Sequence, residues 1–239
     1  MIIHQSWKTR EIPPAFREWK SKYVYTLWDD ADNHRLIKTH YPWFLGRYES
    51  FPSPIMRADA ARIFYMHQYG GVYADLDVIC LKPIHELLQG HELVLGNMRT
   101  EPKPVLPFTS GEWNYLHGVP NAFMASKPGH GFWMVCARKM LEARDSWTVE
   151  EVTGPVMIWR ALQEYVRKEM HFEESVYIAS PSLVFPYSWT WPSGETEHAV
   201  CSKQRVSFNA TRCLEIVDPG RRAFTITYWT HTWEDKVVE

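Results

Sequence analysis

The 239-residue sequence predicts an α/β fold, read as a single domain over residues 1–239. Three observations carry that prediction. An apolar run, MIIHQSW, precedes helix-compatible residues and then a β-branched and aromatic run, YVYTLW, in the order strand, helix, strand. Residues 53–71 place apolar or small side chains at helical spacing and stop at Gly70-Gly71. The stretch VYADLDVICLKPI then has the composition of a buried strand ended by Pro83.

Taken in order, MIIHQSW suits a first buried strand whose polar and aromatic end, with His4, Gln5 and Trp7, opens onto a site. EIPPAFREWKSK begins with a proline pair, as at a helix start. YVYTLWDD is a second strand bounded by acids, and the helix over 53–71 leads into the strand carrying Asp75 and Asp77. HELLQG is a short helix, while HELVLGN and PNAFMASKP are strand-like. Residues 99–120 are rich in Pro and Gly without periodicity, which marks a long functional loop. HGFWMVCARKMLEAR and GPVMIWRALQEYVRKE have helical spacing, and SVYIASPSLVFPYSW and AFTITYWTHTW read as late strands or loops.

A hydrophobic content of 45% over this length supports a substantial core. A formal charge of -2 and the lack of a dense Lys/Arg block argue against nucleic acid as a partner. Cys80, Cys136, Cys201 and Cys213 lie far apart, without C-x-x-C pairs, and read as core thiols. No run approaches the roughly 18 to 20 apolar residues that span a bilayer, so the chain as given is expected to be soluble. Its expected place is the cytoplasm or the periphery of a membrane, or the Golgi lumen if it is an excised catalytic domain. Asn209-Ala210-Thr211 forms a glycosylation sequon, which matters only in a secretory compartment. The 12 tryptophans suit stacking on sugars and bases as well as core filling.

Asp75 and Asp77 are the main candidates for chemistry. In a strand, residues two apart share a face, so the two carboxylates would emerge together. Their mutual repulsion is most simply relieved by a divalent cation, and hard oxygen ligands suit Mg²⁺ or Mn²⁺ with a substrate's phosphates. A solvated strand end is the plain alternative. Upstream, Asp59 and Arg62 stand three apart on one helical face, a spacing that a simple salt bridge also explains. Thr153-Gly154-Pro155 precedes an apolar helix, where Thr153 can cap it and free N–H groups can face an anion or sugar hydroxyls.

The stretch RADAARIFYMHQYGGVYADLDV resembles the sugar-binding D-x-D region of glycosyltransferase family 32. Within that family, IIHQSWK, YTLWDD, YPWFL and NAFMASKPGHGFW are most similar to mannosyltransferases acting on inositol phosphorylceramide and to related initiating α-mannosyltransferases. The resemblance implies a GT-A fold, one Rossmann-like domain with a central, mostly parallel sheet flanked by helices. It also implies retaining, metal-dependent transfer of a hexose from a nucleoside diphosphate sugar to a glycan or glycolipid acceptor. GDP-mannose is favoured as donor, with a UDP-sugar as the alternative.

Carried over by motif, Asp77 would bind Mn²⁺ or Mg²⁺, and Asp75 would hold the donor ribose and the metal's water shell. Asp59 and Arg62 would grip the donor sugar, while His4, Gln5 and Trp7 would line the base and ribose pocket. Asn121 would contact sugar or acceptor, and His231 in YWTHTW would reach the metal or diphosphate, although the family more often shows paired histidines there. In such transfer the leaving phosphate takes the acceptor's proton, so no side chain is named as base. The competing classes are a lectin-like module, which explains the tryptophans but not the acid and arginine set, and a D-x-D aspartyl phosphatase, which leaves Asp59 and Arg62 unexplained. Metal-dependent donor turnover separates the transferase from both.

Overall fold

The computed structural model describes residues 1–11, 19, 23–98, 118–144, 147–168, 176–188 and 195–230. The expected central, mostly parallel sheet is present: six strands in the order β2-β1-β3-β6-β5-β7. These strands are β1 (Ile2–Ser6), β2 (Val24–Trp28), β3 (Gly71–Ala74), β5 (Leu93–Gly96), β6 (Phe123–Ser126) and β7 (Val176–Ala179). β1 pairs in parallel with β2 and β3, and β5 with β7, while β6 runs antiparallel between β3 and β5. A second, two-stranded sheet pairs β4 (Val78–Cys80) with β8 (Thr225–Thr227).

Alternation along the strands builds a core on each face of the large sheet. Val72, Val94, Phe123 and Ala125 point to one side, and Tyr73, Leu93, Leu95 and Met124 to the other. The second side is covered by α1 (Asp30–His40), α2 (Pro42–Ser50), α3 (Pro54–Tyr69), α5 (Phe132–Glu142) and α7 (Pro155–Lys168). The first is closed by α4 (His85–Leu88) and α8 (Pro181–Val184), whose Leu87 and Val184 are buried there. A short helix α6 (Val149–Val152) precedes α7, and α9 (Glu195–Cys201) and α10 (Ala210–Val217) pack near β8.

Helix α3 is the element on which the site is built. Ser53 caps its start by accepting from the Met56 N–H, and Gly70 ends it with a positive φ of 59°. A Cβ on Gly70 would lie 2.5 Å from the Pro128 nitrogen, and one on Gly71 would lie 2.4 Å from the Ile2 carbonyl oxygen. These two glycines therefore let α3 turn directly into β3 while β3 closes against β1.

The structure corrects or extends the sequence reading in several places. VYADLDVICL is two strands: β3 ends at Ala74, Asp75–Asp77 form a turn closed by the Val78 N–H donating to the Asp75 carbonyl, and β4 enters the small sheet. The two acids thus leave a turn, not one face of a strand. Cys201 and Cys213 form a disulfide with Cα atoms 5.0 Å apart, whereas Cys80 and Cys136 are buried free thiols. Helices α1 and α2 fill a stretch given no element above; Asp29 and Asp32 form a capping box that starts α1. Asn209 is the exposed N-cap of α10, its side-chain oxygen accepting from the Arg212 N–H. The helix expected after the proline pair and most of the Pro/Gly loop lie outside the described residues. Among the described residues, no helix is long and apolar enough to cross a membrane.

Candidate active site

The parallel strands β1, β2 and β3 end side by side at Ser6, Trp28 and Ala74, and the acid turn follows directly from β3. Open α/β sheets bind ligands at this carboxyl edge. Asp75 stays attached to the sheet through its N–H, which donates to the Ala122 carbonyl at 2.8 Å. The Gln5 side-chain amide, reaching from β1, donates to the Asp75 carbonyl at 3.1 Å.

From beneath, α3 presents Asp59 and Arg62 on one face, both about 95% buried. Arg62 is the hub. Its Nη2 lies 2.8 Å from Asp59 Oδ1, and its Nη1 donates to Asp75 Oδ1 at 3.1 Å and to the Asn121 carbonyl at 3.0 Å. The guanidinium also stacks 4.4 Å above the Tyr73 ring, and the Tyr73 hydroxyl donates to Asp75 Oδ1 at 2.7 Å. The simple i,i+3 salt bridge therefore exists as one arm of a fork that joins α3 to the turn.

Asp77 is held from elsewhere. Its Oδ2 accepts both the N–H and the hydroxyl of Thr230, at 3.0 and 2.9 Å. Each acid of the pair thus has one committed oxygen. Among the described residues, Asp75 Oδ2 and Asp77 Oδ1 take no hydrogen bond.

The electrostatics favour a cationic or hydrogen-bonding ligand. Two carboxylates, Asp59 and Asp75, share one guanidinium, and the charge of Asp77 acts on Asp75 from the same turn. Burial pushes the Asp59 carboxyl up to about 6, against the pull of Arg62. Burial also raises the Asp75 carboxyl; Arg62 opposes the shift and the charge of Asp77 adds to it. Around these charges, Gln5 Oε1, Arg62 Nε and Asn121 Nδ2 are buried without hydrogen-bond partners among the described residues. Buried polar atoms are normally satisfied, so these are the atoms that a polar ligand would complete. Two uncommitted carboxylate oxygens on one turn, with more negative than positive charge around them, fit a divalent cation of the Mg²⁺ or Mn²⁺ type. Among the described residues, no group of three or more His, Cys, Asp or Glu forms a metal cluster, and His231 lies outside them.

Other expected residues have different places. His4 is buried, with Nε2 donating to the Gly70 carbonyl at 2.9 Å and Nδ1 accepting from the Trp28 indole at 3.1 Å. Burial pulls its pKa down to about 4, partly offset by the Gly70 bond, so it is a neutral scaffold group with no free nitrogen for a base or ribose. Gln5 braces the acid turn. Trp7 is partly exposed just past β1, and its N–H donates to the Trp28 carbonyl.

Thr153 and Gly154 do not offer free N–H groups to an anion, because both donate to the Val149 carbonyl where α6 ends. The Thr153 hydroxyl lies between the Val149 carbonyl at 3.3 Å and Asp59 Oδ2 at 3.4 Å, which sets it beside that acid. Two further residues, Tyr73 and Thr230, were not singled out in the sequence. Tyr73 stands within the quoted Tyr-Gly-Gly stretch, but Thr230 carries no local signal.

Residues 9–94 match the family model described as a glycosyltransferase sugar-binding region containing a DXD motif. The chain is 31% identical over 202 residues to the mannosyl phosphorylinositol ceramide synthase SUR1 of Saccharomyces cerevisiae, covering 80% of this chain and 48% of that protein. It is 35% identical over 175 residues to inositol phosphoceramide mannosyltransferase 3 of Schizosaccharomyces pombe, covering 67% and 44%. The chain thus spans about half the length of these curated relatives. A solved structure described as PaToxG Glycosyltransferase overlaps with a TM-score of 0.48 and 16% identity, covering 70% of this chain and 69% of that one.

Proposed function

With residues 9–94 belonging to the DXD-containing sugar-binding region of glycosyltransferases, we propose that the chain transfers a hexose from a nucleoside diphosphate sugar to a glycolipid, with metal dependence and retention of anomeric configuration. One observation carries the reading: Asp75 and Asp77 each keep one oxygen uncommitted beside a buried Asp59–Arg62 fork. Mannose is the favoured hexose and inositol phosphoceramide the favoured acceptor, because the names of the two relatives refer to both; GDP-mannose is favoured as donor by the resemblance of the sequence motifs alone. A UDP-sugar is the alternative donor.

Asp77 Oδ1 and Asp75 Oδ2 would hold the cation. Bound there, Mn²⁺ or Mg²⁺ supplies charge neutralisation for the departing diphosphate. Arg62 and Asp59 form the lower wall, both buried and held by their mutual ion pair and by the Arg62 bonds to Asp75 and the Asn121 carbonyl. Asn121 Nδ2, beside the Asp59 carboxylate, would donate to a sugar hydroxyl, and Trp7 would offer a face for the base or ribose. A lipid acceptor would put the work at a membrane surface, and the Cys201–Cys213 bridge supports an oxidising lumen over the cytosol.

The test is turnover. The protein is incubated with GDP-mannose and detergent-solubilised inositol phosphoceramide, and mannosylated lipid is measured by mass spectrometry. Product is expected with Mn²⁺ or Mg²⁺, with loss on chelation and recovery on re-addition. Transfer that survives complete chelation would contradict the metal role, and phosphate release from monoesters without any sugar transfer would favour the phosphatase class.

A further inference from the structure

We propose that Thr230 is a positioning residue for the acid turn, setting the orientation of Asp77 and with it the affinity for a divalent cation and nucleoside diphosphate; this rests on the reading above. The antiparallel register of β4 with β8 pairs Val78 with Thr227 and Ile79 with Ile226. Continued in extended form, that register carries Thr230 past Asp77 to a position opposite Asp75. The chain does not continue that way. Trp229 has a φ of 50°, a left-handed conformation that bulky side chains rarely adopt, and the bend aims Thr230 at Asp77.

Several contacts hold the bend. The Trp229 indole donates to the Tyr187 carbonyl at 2.9 Å, its N–H donates to Thr227 Oγ1 at 3.1 Å, and its ring lies 5.3 Å from that of Phe185. Beneath it, Ile226 and Tyr228 are packed in one buried cluster with Tyr187, Cys201 and Cys213. Strain kept at one residue by this much surrounding structure is the pattern found where geometry serves a site.

The outcome is specific in chemistry as well as place. Both Thr230 donors converge on one oxygen of Asp77, which restricts rotation of the carboxylate and leaves its other oxygen uncommitted. A residue 153 positions away in sequence thereby does for Asp77 what Arg62 and Tyr73 do for Asp75. Partners of this kind, one bond removed from a ligand, tune metal affinity by about 10- to 100-fold.

The experiment compares Thr230→Val, which keeps the branched shape and the N–H but deletes the hydroxyl, with Thr230→Ser, which keeps the hydroxyl. Calorimetric titration of Mn²⁺ in the presence of GDP or UDP is combined with melting of each variant in the absence of metal. T230V is expected to weaken Mn²⁺ binding about tenfold, T230S to stay within about twofold of the unaltered protein, and the metal-free melting of both to change little. A second pair, T230A against T230S, reads the same hydroxyl without the valine methyl group if T230V does not fold. Equal Mn²⁺ affinity in T230V, or a loss in T230S as large as in T230V, overturns the positioning role alone. Failure of the unaltered protein to bind Mn²⁺ with either nucleotide overturns the transferase reading together with it.

Discussion

Replacing Arg62 by methionine removes the one positive charge from a buried cluster while keeping most of the side chain's length. The guanidinium neutralises Asp59 at 2.8 Å and Asp75 at 3.1 Å, donates to the Asn121 carbonyl and covers the Tyr73 ring. Breaking one side of a buried ion pair costs about 3–5 kcal/mol, because the remaining charge is left uncompensated. That is a large part of the about 5–15 kcal/mol by which domains are stable. The cost depends on pH because Asp59 can escape it by taking a proton.

The direction follows from the native carboxyl. Burial raises it to about 6, with Arg62 the largest opposing influence. A raised native pKa means that the folded state holds the proton more tightly, so the contribution of Asp59 to stability is fully present below the unfolded value and is lost as pH rises through about 6. Without Arg62 the native value moves higher still, and the loss extends to higher pH. R62M is therefore expected to be strongly destabilised at pH 8 and much less so at pH 5. Urea unfolding at both values, read as the midpoint at constant slope, measures it. A penalty under about 1 kcal/mol at pH 8, or one that is the same at both pH values, would refute the claim that Arg62 is the charge holding this cluster together.

Gly71→Ala is expected to lower stability by more than about 2 kcal/mol, because its Cβ meets the Ile2 carbonyl and its φ of 91° disfavours any side chain. Gly46→Ala, at a helical position in α2 with nothing within 4 Å, should instead raise stability by about 0.4–1 kcal/mol; thermal melting of the two variants checks the contrast. Donor affinity is expected to fall as pH drops through about 6, since Asp59 then takes a proton and loosens its pair with Arg62; calorimetric titrations from pH 5 to 8 would reveal it, and a flat profile would count against a charged Asp59 in the donor site.

The parts of the site that were legible in the sequence are those set by local geometry. Asp59 and Arg62 share a face because a helix repeats every 3.6 residues, and Gly70-Gly71 mark the stop because only glycine fits those positive angles. The break between Asp75 and Val78 was not legible. Apolar composition runs through VYADLDVICL without a glycine or proline to break it, and what divides it is the choice of partner: β6 takes β3, and β8 takes β4 from almost 150 residues away. The same distance hides Thr230.

Motif reading also misassigned local hydrogen bonds. Thr153 looks like the cap of α7, but its N–H donates to the Val149 carbonyl at the end of α6 and its hydroxyl sits between that carbonyl and Asp59. His4 looks available at a strand end, yet Trp28 and Gly70 occupy both ring nitrogens. Cys201 and Cys213, separated by 12 residues, fit no metal or redox spacing, and only the packing of α9 against α10 brings them together.

The central claim is that Asp75 and Asp77 hold a cation through which this chain binds a nucleotide sugar. Asp77→Asn tests it most directly, since the amide oxygen can still accept the Thr230 bonds while the charge is gone. The measurement is calorimetric titration of GDP-mannose into the unaltered protein and the variant, each with and without Mn²⁺. The account expects donor binding by the unaltered protein only when Mn²⁺ is present, and at least about 100-fold weaker binding by D77N. Equal donor affinity with and without the metal, or unchanged affinity in D77N, would contradict it.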